Sequence, residues 1–363
     1  MYIYWVEIIA IALLGIIIFY NGTNTHKKKI FIFFSANILF WVMAFRNQSV
    51  GTDTQLYCTV FKNIANASNV FKASDASILY ALYNKIISIV FGNNSQNIIF
   101  GNSFVIIALF SIFAYKNSKN IVMTFLYFLL FYHYFQAFNI SRQYISILLV
   151  ANSLYFIEKK NVIGFLVLNI LAILIHNTAI IFLPVGFILL YVDLDLKKIW
   201  KMSIIATIFL ALYEKIINLF LKVFPRYSMY FKGSKLFYNA GGGQRIFVTI
   251  LYFIIVFLAI ILIREKENGK EECIRKEKKM WYDMIFLIIL AILCGILSLK
   301  FVLLNRIELY FSIFIVIFIP LFIEKIPKQK YTIYSFSFII LSFLTYAYFI
   351  KNIAGVVPYT TFF

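Results

Sequence analysis

Long apolar runs recur throughout this chain, and they leave few options for its fold. Ile3 to Tyr20 and Ile30 to Phe45 are the first two, and comparable runs follow as far as Tyr331 to Ile350. Segments of about 17–25 such residues can cross a hydrocarbon core of about 30 Å, where a helix satisfies its own backbone. Of 363 residues, 63% are hydrophobic and 13% charged, against about 45–50% and about 25% in a soluble domain. The expectation is an all-α polytopic membrane protein, a single integral membrane domain over 1–363 with about twelve transmembrane helices. The spans fall near 3–20, 30–45, 97–115, 120–136, 142–157, 161–175, 177–192, 198–213, 245–263, 281–299, 306–323 and 331–350.

Alternate connections are short and basic: His26 to Lys29, Lys116 with Lys119, Glu158 to Lys160, Asp193 to Lys201, and Glu324 to Lys330. They are assigned to the cytoplasm, as is the charged loop 264–280, and both ends of the chain then face outward. The first run lacks a basic flank and a small-residue cleavage site, so it reads as a retained helix. Val162 to Val192 is interrupted by His176-Asn177 and reads as two short spans rather than one long one. Two outer loops are long. Residues 46–96 carry an amphipathic helix over Ser77 to Phe91, and residues 214–244 are basic.

The net charge is +19, from 34 basic and 15 acidic side chains. Cytoplasmic lysines and arginines explain much of it, yet fourteen basic residues remain outside. Five acids accompany them: Glu7, Asp53, Asp75, Glu214 and Glu308. An outward excess of cations implies an anionic partner, with lipid phosphate or pyrophosphate the fitting class, and nothing points to a nucleic acid. Cys58, Cys273 and Cys294 lie far apart and suggest neither a disulfide framework nor a zinc site. No Cys/His set is present, so a metal-dependent enzyme is not expected. Without a P-loop, no nucleotide cofactor is expected either.

Polar chemistry gathers at the outer helix ends. Arg46 closes the second run and is followed by Gly51-Thr52-Asp53 and Tyr57. Alone, such an arginine snorkels to the interface; beside it, glycine permits a tight turn and Asp53 can orient a guanidinium or take a proton. Arg142-Gln143 opens the fifth span after Phe138-Asn139-Ile140-Ser141. An arginine at this depth must be paired or line a wet cavity, and its fork matches phosphate oxygens; pairing with Glu308 is the alternative. His176 ends a span beside polar neighbours, where it can serve as a base or simply pack. Arg306 opens the eleventh span with Tyr310 one turn along, and Arg245 opens the ninth. Arg226 with Tyr227 and Tyr230 forms a basic-aromatic patch, suited to sugars or to the interfacial belt.

In order and spacing, Arg46…Val50-Gly-Thr-Asp-Thr54…Tyr57, Asn139-Ile-Ser-Arg-Gln143, His176, Asn305-Arg306…Tyr310 and Val357-Pro-Tyr359 resemble the EpsG-like, Wzy-type polymerases of bacterial O-antigen, capsule or exopolysaccharide. The resemblance covers nearly the whole chain. It implies a plasma-membrane glycosyltransferase with GT-C-like architecture, its site facing outward to the periplasm or cell exterior. Undecaprenyl-pyrophosphate-linked oligosaccharides are then donor and acceptor, with membrane lipid, a chain-length regulator and a flippase as partners. On this reading Arg46, Arg142 and Arg306 steady the departing pyrophosphate, and His176 or Asp53 takes the acceptor proton. Arg245, Gln143, Tyr57, Arg226 and Tyr310 make further substrate contacts, without a metal or cofactor. The alternatives are a lipid-oligosaccharide flippase or transporter and an O-antigen-ligase-like transferase. A transporter is expected to carry charge through its span centres or to show paired half-sequences, whereas charge here collects at one face.

Overall fold

The structure is a computed structural model that describes residues 2–71, 73, 77–212, 215, 218–219, 222, 242–268, 275–299, 303–324 and 329–363. In chain order the helices begin with α1 (Tyr2–Phe19), α2 (Thr25–Ala44), α3 (Thr54–Asn66), α4 (Ile78–Phe91) and α5 (Gln96–Asn117). There follow α6 (Ile121–Leu130), α7 (His133–Asn139), α8 (Ser141–Glu158), α9 (Val162–Ile175) and, after a tight turn over Asn177–Ile181, α10 (Phe182–Tyr191). The remainder are α11 (Leu196–Ala211), α12 (Gly242–Asn268), α13 (Arg275–Ser298), α14 (Leu303–Ser312), α15 (Ile315–Ile323) and α16 (Gln329–Leu344), which runs into a π turn over Thr345–Ile350. Among the described residues no strand forms; the one extended pairing is an isolated antiparallel bridge between Arg46 and Thr361.

Asparagine starts several of these helices. The side chains of Asn24, Asn120 and Asn161 accept the backbone N–H groups of Lys27, Met123 and Gly164, which satisfies donors that a first turn leaves open. Helix faces are inverted relative to those of a soluble protein. α1 buries Tyr4, Glu7, Ile11 and Gly15 and turns Ile9, Leu13, Ile16 and Ile17 outward. α4 likewise buries Tyr80, Asn84 and Ser88 while Ile86, Ile89, Val90 and Phe91 are exposed. Apolar-out, polar-in helices are stable against lipid, where polar groups must find partners inside the protein.

The described residues of the twelve apolar runs are mostly helical, but the expected number of full spans is not carried by length and composition. Among the described residues, four helices are long and apolar enough to cross a membrane, or six if two bent pairs each count as one. The bends are 52° between α6 and α7 and 42° between α14 and α15. At the first, Tyr132 adopts a left-handed φ of 55°. The run 162–192 is indeed broken, with His176 in extended geometry between α9 and the tight turn. Within 46–96 the expected helix is α4, opening after Ser77. A second helix, α3, precedes it and buries Thr54, Cys58, Phe61 and Ile64 at helical spacing.

The chain forms two compact units, residues 1–186 with 323–363, and residues 187–322. In the first, α8 and α9 pack antiparallel, and Ser146 Oγ donates to the Ala172 carbonyl at 2.9 Å. Phe110 stacks on Phe128 at 3.8 Å between α5 and α6. In the second, Trp281 of α13 meets Phe318 of α15 edge-on at 5.6 Å. Lys279 joins Asp283 at 3.0 Å and donates to the Leu189 carbonyl at 2.9 Å.

Candidate functional site

Three stretches distant in sequence meet in the first unit: the Arg46–Thr54 turn, the α7–α8 junction, and segment 351–363. Asn139 joins all three. Its side-chain oxygen accepts the Thr52 N–H at 2.7 Å, and its side-chain nitrogen donates to the Ala354 carbonyl at 2.9 Å. Next to it, Gly51 N–H donates to the Gly355 carbonyl at 2.8 Å. Gly51 has a φ of 97°, and a Cβ there would stand 2.7 Å from Thr54 Oγ1 and 2.8 Å from Asn139 Oδ1. Only glycine suits that position.

Arg46 is 2% exposed, and its guanidinium faces protein on every side. Nη1 donates to the Met43 carbonyl and, at 3.4 Å, to Ser103 Oγ; Nη2 donates to the Phe138 carbonyl at 3.3 Å. The group also lies 4.6 Å from the centre of the Phe138 ring. Burial pushes its pKa down to about 10, so it remains a cation at neutral pH. Gln96 completes the end of α2 by donating to the carbonyls of Ala44 and Arg46 at 2.8 and 3.2 Å.

Arg142 is arranged differently. It lies in the first turn of α8, half-buried, with its guanidinium 5.7 Å from the centre of the Tyr80 ring. Its Nε, like that of Arg46, is buried without a hydrogen-bond partner, but among the described residues Arg142 makes no ion pair and its guanidinium is not enclosed by carbonyls. The floor beneath is polar: Asn102 Nδ2 donates to Tyr80 Oη at 3.0 Å and to Ser141 Oγ at 3.4 Å. From Tyr80 a path of rings leads to Tyr57, edge-on at 6.3 Å. One turn earlier on α3 stands Asp53, half-buried, with Thr52 Oγ1 donating to its Oδ1 at 3.2 Å. Asp53 forms no side-chain cap on α3.

His176 belongs to the same neighbourhood by register. Ser146 of α8 touches Ala172 of α9, so one turn further along the antiparallel pair Arg142 and His176 come to the same end. Thr178 Oγ1 lies 2.7 Å from His176 Nδ1, and Ser77 Oγ at the head of α4 donates to Asn177 Oδ1 at 3.4 Å. Asp53, Tyr57, Arg142 and His176 therefore share one end of the first unit. Gln143, in contrast, is 1% exposed and packs inward on α8.

Arg245, Arg306 and Tyr310 belong to the second unit. Arg245 Nη1 donates to the Ser298 carbonyl at 3.1 Å, Arg306 is exposed, and Tyr310 is buried. Arg226 and its tyrosines lie outside the described residues, as does most of 214–244. Among the described residues no group of three or more His, Cys, Asp or Glu side chains is placed to hold a metal. Asn139 is a functional candidate that the sequence does not single out. It is legible there only as a member of the Asn139-Ile-Ser-Arg-Gln143 motif, beside a charged neighbour.

The described residues, helical and with outward apolar faces, are those of a membrane-embedded protein, and a polar cluster gathers at one end of the first unit. The chain belongs to the EpsG family, whose match extends over residues 29–361. Membership suggests a polysaccharide-polymerase-like role of the glycosyltransferase kind. Neither a curated protein nor a solved structure matches the chain.

Proposed function

We propose that the protein lengthens a polysaccharide by transferring the growing glycan from undecaprenyl pyrophosphate to the sugar end of a single lipid-linked repeat, at the outer face of the bacterial plasma membrane. The acceptor hydroxyl attacks the anomeric carbon of the donor. A new carbon–oxygen bond forms as the bond to the pyrophosphate oxygen breaks, and the electron pair leaves with the lipid pyrophosphate. The hydroxyl proton passes to a carboxylate or imidazole. No nucleotide is needed, because the glycosyl–pyrophosphate bond is itself the activated one.

Arg142 carries this reading. It is a half-buried cation with no ion pair among the described residues and an unsatisfied Nε, in the first turn of a helix whose own partial charge there is positive. A pyrophosphate supplies the missing acceptors, and a guanidinium binds it bidentately. Asp53 is the proton acceptor in this scheme. Its carboxylate has one hydroxyl contact and is two rings away from Arg142. Tyr57 and Tyr80 between them offer faces on which a sugar can stack. His176, with Nδ1 engaged by Thr178, is the second candidate for the base. Arg46 is a positioning residue here.

Purified protein in detergent, given purified lipid-linked repeat, is expected to produce a ladder of longer lipid-linked products. Transport across vesicles without a ladder would make it a flippase. Transfer of glycan to a different acceptor would make it a ligase.

A further inference from the structure

We propose that segment 351–363 is a fixed wall of the site, and that Asn139 is the positioning residue that locks it to the Gly51–Asp53 turn and so sets where the Asp53 carboxylate stands. The inference rests on the proposed role of Asp53. A primary amide suits the task because one end accepts and the other donates. Asn139 uses both ends on backbone groups from separate segments, Thr52 N–H and Ala354 C=O. An apolar side chain can make neither contact, and a carboxylate can make only the first.

The segment is held along its whole length. Asn47 N–H donates to the Thr360 carbonyl at 2.8 Å, and Phe362 N–H donates to the Phe45 carbonyl at 3.1 Å. Tyr4 Oη donates to the Val356 carbonyl at 2.8 Å, and Tyr359 Oη to the Val42 carbonyl at 3.0 Å. The rings of Phe45 and Phe362 stack at 5.6 Å. Gly355, at a φ of 63°, comes so near that an added Cβ would lie 3.2 Å from Thr52 Cγ2. Such close backbone approach, with anchors before and after it, describes a wall rather than a lid. Asp53 has no side-chain cap bond of its own. Its placement therefore follows the turn, and the turn follows Asn139.

The test uses the full chain in lipid nanodiscs. Ser49 Oγ and Thr360 Oγ1 are exposed and 3.4 Å apart, so the double variant S49C/T360C is expected to form a disulfide under mild oxidation that neither single variant forms. The oxidised protein is expected to polymerise within about twofold of its reduced rate, because a wall has no need to move. Asn139→Ala in that background is expected to lower cross-linking yield at least about fivefold. Asn139→Ala alone is expected to lower kcat at least about tenfold while KM for the lipid-linked repeat stays within about threefold. Asn139→Asp, which keeps the acceptor for Thr52 N–H, is expected to recover part of kcat.

An oxidised protein that is inactive until reduced would make the segment a moving lid and overturn the proposal. So would the absence of any cross-link, or an Asn139→Ala protein with wild-type kcat and cross-linking. Should wild-type protein yield no ladder at all, the polymerase reading fails. The cross-linking yield and its dependence on Asn139 then decide the wall alone.

Discussion

Arg46 donates to the Phe138 carbonyl at 3.3 Å and lies 4.6 Å above the ring of the same residue. One side chain thus fastens the end of α2 to the end of α7, and through the neighbouring Asn139 to the site. Other cations are disposed in a similar way. Lys85 donates to the Ala65 and Ala67 carbonyls at the end of α3, at 2.9 and 3.2 Å. Lys279 reaches Leu189 near the end of α10, and Arg245 reaches Ser298 at the end of α13. In a chain with 34 basic and 15 acidic side chains, helix C-termini stand in for missing carboxylates. Each carries a partial negative charge of about half a unit.

Arg46→Met keeps the bulk and removes the donors. It leaves the Met43 and Phe138 carbonyls and Ser103 short of a partner, which is expected to cost about 1–3 kcal/mol. Thermal unfolding in detergent measures it. An unchanged melting temperature with polymer lost would instead assign Arg46 to substrate binding.

Lys85→Met removes a cation from the end of α3 while retaining most of the stem. The expected loss is about 0.3–1 kcal/mol, with faster hydrogen exchange confined to the last turn of α3. Uniform protection in that turn would show that the cap contributes nothing.

The contrast between these residues explains what was legible in the sequence. Apolar runs exposed every helix that carries one, because burial in lipid writes itself as composition. The amphipathic α3 is not announced by an apolar run, because its apolar content is low, although Thr54, Cys58, Phe61 and Ile64 follow helical spacing. The motifs name segments that come together in the fold, since the stretches of Arg46, Gly51, Asn139 and Tyr359 meet in the first unit. Their division of labour was not legible. Arg46 and Arg142 look alike as charges at helix ends, but Arg46 follows a C-terminus whose carbonyls absorb it, whereas Arg142 sits at an N-terminus that cannot. Asn139 drew no attention because an amide gives no charge signal, and its partners are backbone groups 87 and 215 positions away.

Gly51→Ala forces a side chain onto a φ of 97° with atoms at 2.7 and 2.8 Å. Strain of about 1–3 kcal/mol is expected, relieved by separating the turn from Asn139. Polymerisation should fall at least about tenfold while the protein stays in the membrane. Normal activity in the alanine variant would mean the turn does not position Asp53.

Cys58 gives a pH-dependent reading of the same region. Burial pushes its thiol up to about 11, with Arg46 and Lys62 opposing, and Sγ is 3.7 Å from the Ser95 carbonyl. The thiolate is the reactive form, so at pH 7 a permeant maleimide should label native protein slowly. Labelling should rise about tenfold per pH unit up to about pH 10. Because the folded-state value lies above that of a free thiol, the stability it contributes is present at low pH and is lost as pH climbs through 9 to 11. Arg46→Met removes one of the cations that oppose this rise, so it should lower the labelling rate at fixed pH. Fast, pH-independent labelling of native protein would show that Cys58 is open to solvent.

Arg142 is the position at which the charge argument and the chemical one coincide. A cation in the first turn of α8 adds to a positive helix end, and its buried Nε has no partner. In the absence of an anion that arrangement is unfavourable, so it is expected to be relieved by one. Inorganic pyrophosphate should raise the melting temperature of wild-type protein and leave that of Arg142→Ala unchanged. On the proposed mechanism, Arg142→Ala removes a donor to the departing pyrophosphate, an expected loss of about 10²–10³ in rate or about 2.7–4 kcal/mol. Arg142→Lys keeps the charge but not the planar fork, and should restore only part of the rate. Both readouts are needed, because a variant that merely unfolds would lose activity with a lower melting temperature. Arg142→Ala protein that makes polymer at wild-type rate and chain length would remove Arg142 from the site, and with it the observation on which the proposed mechanism stands.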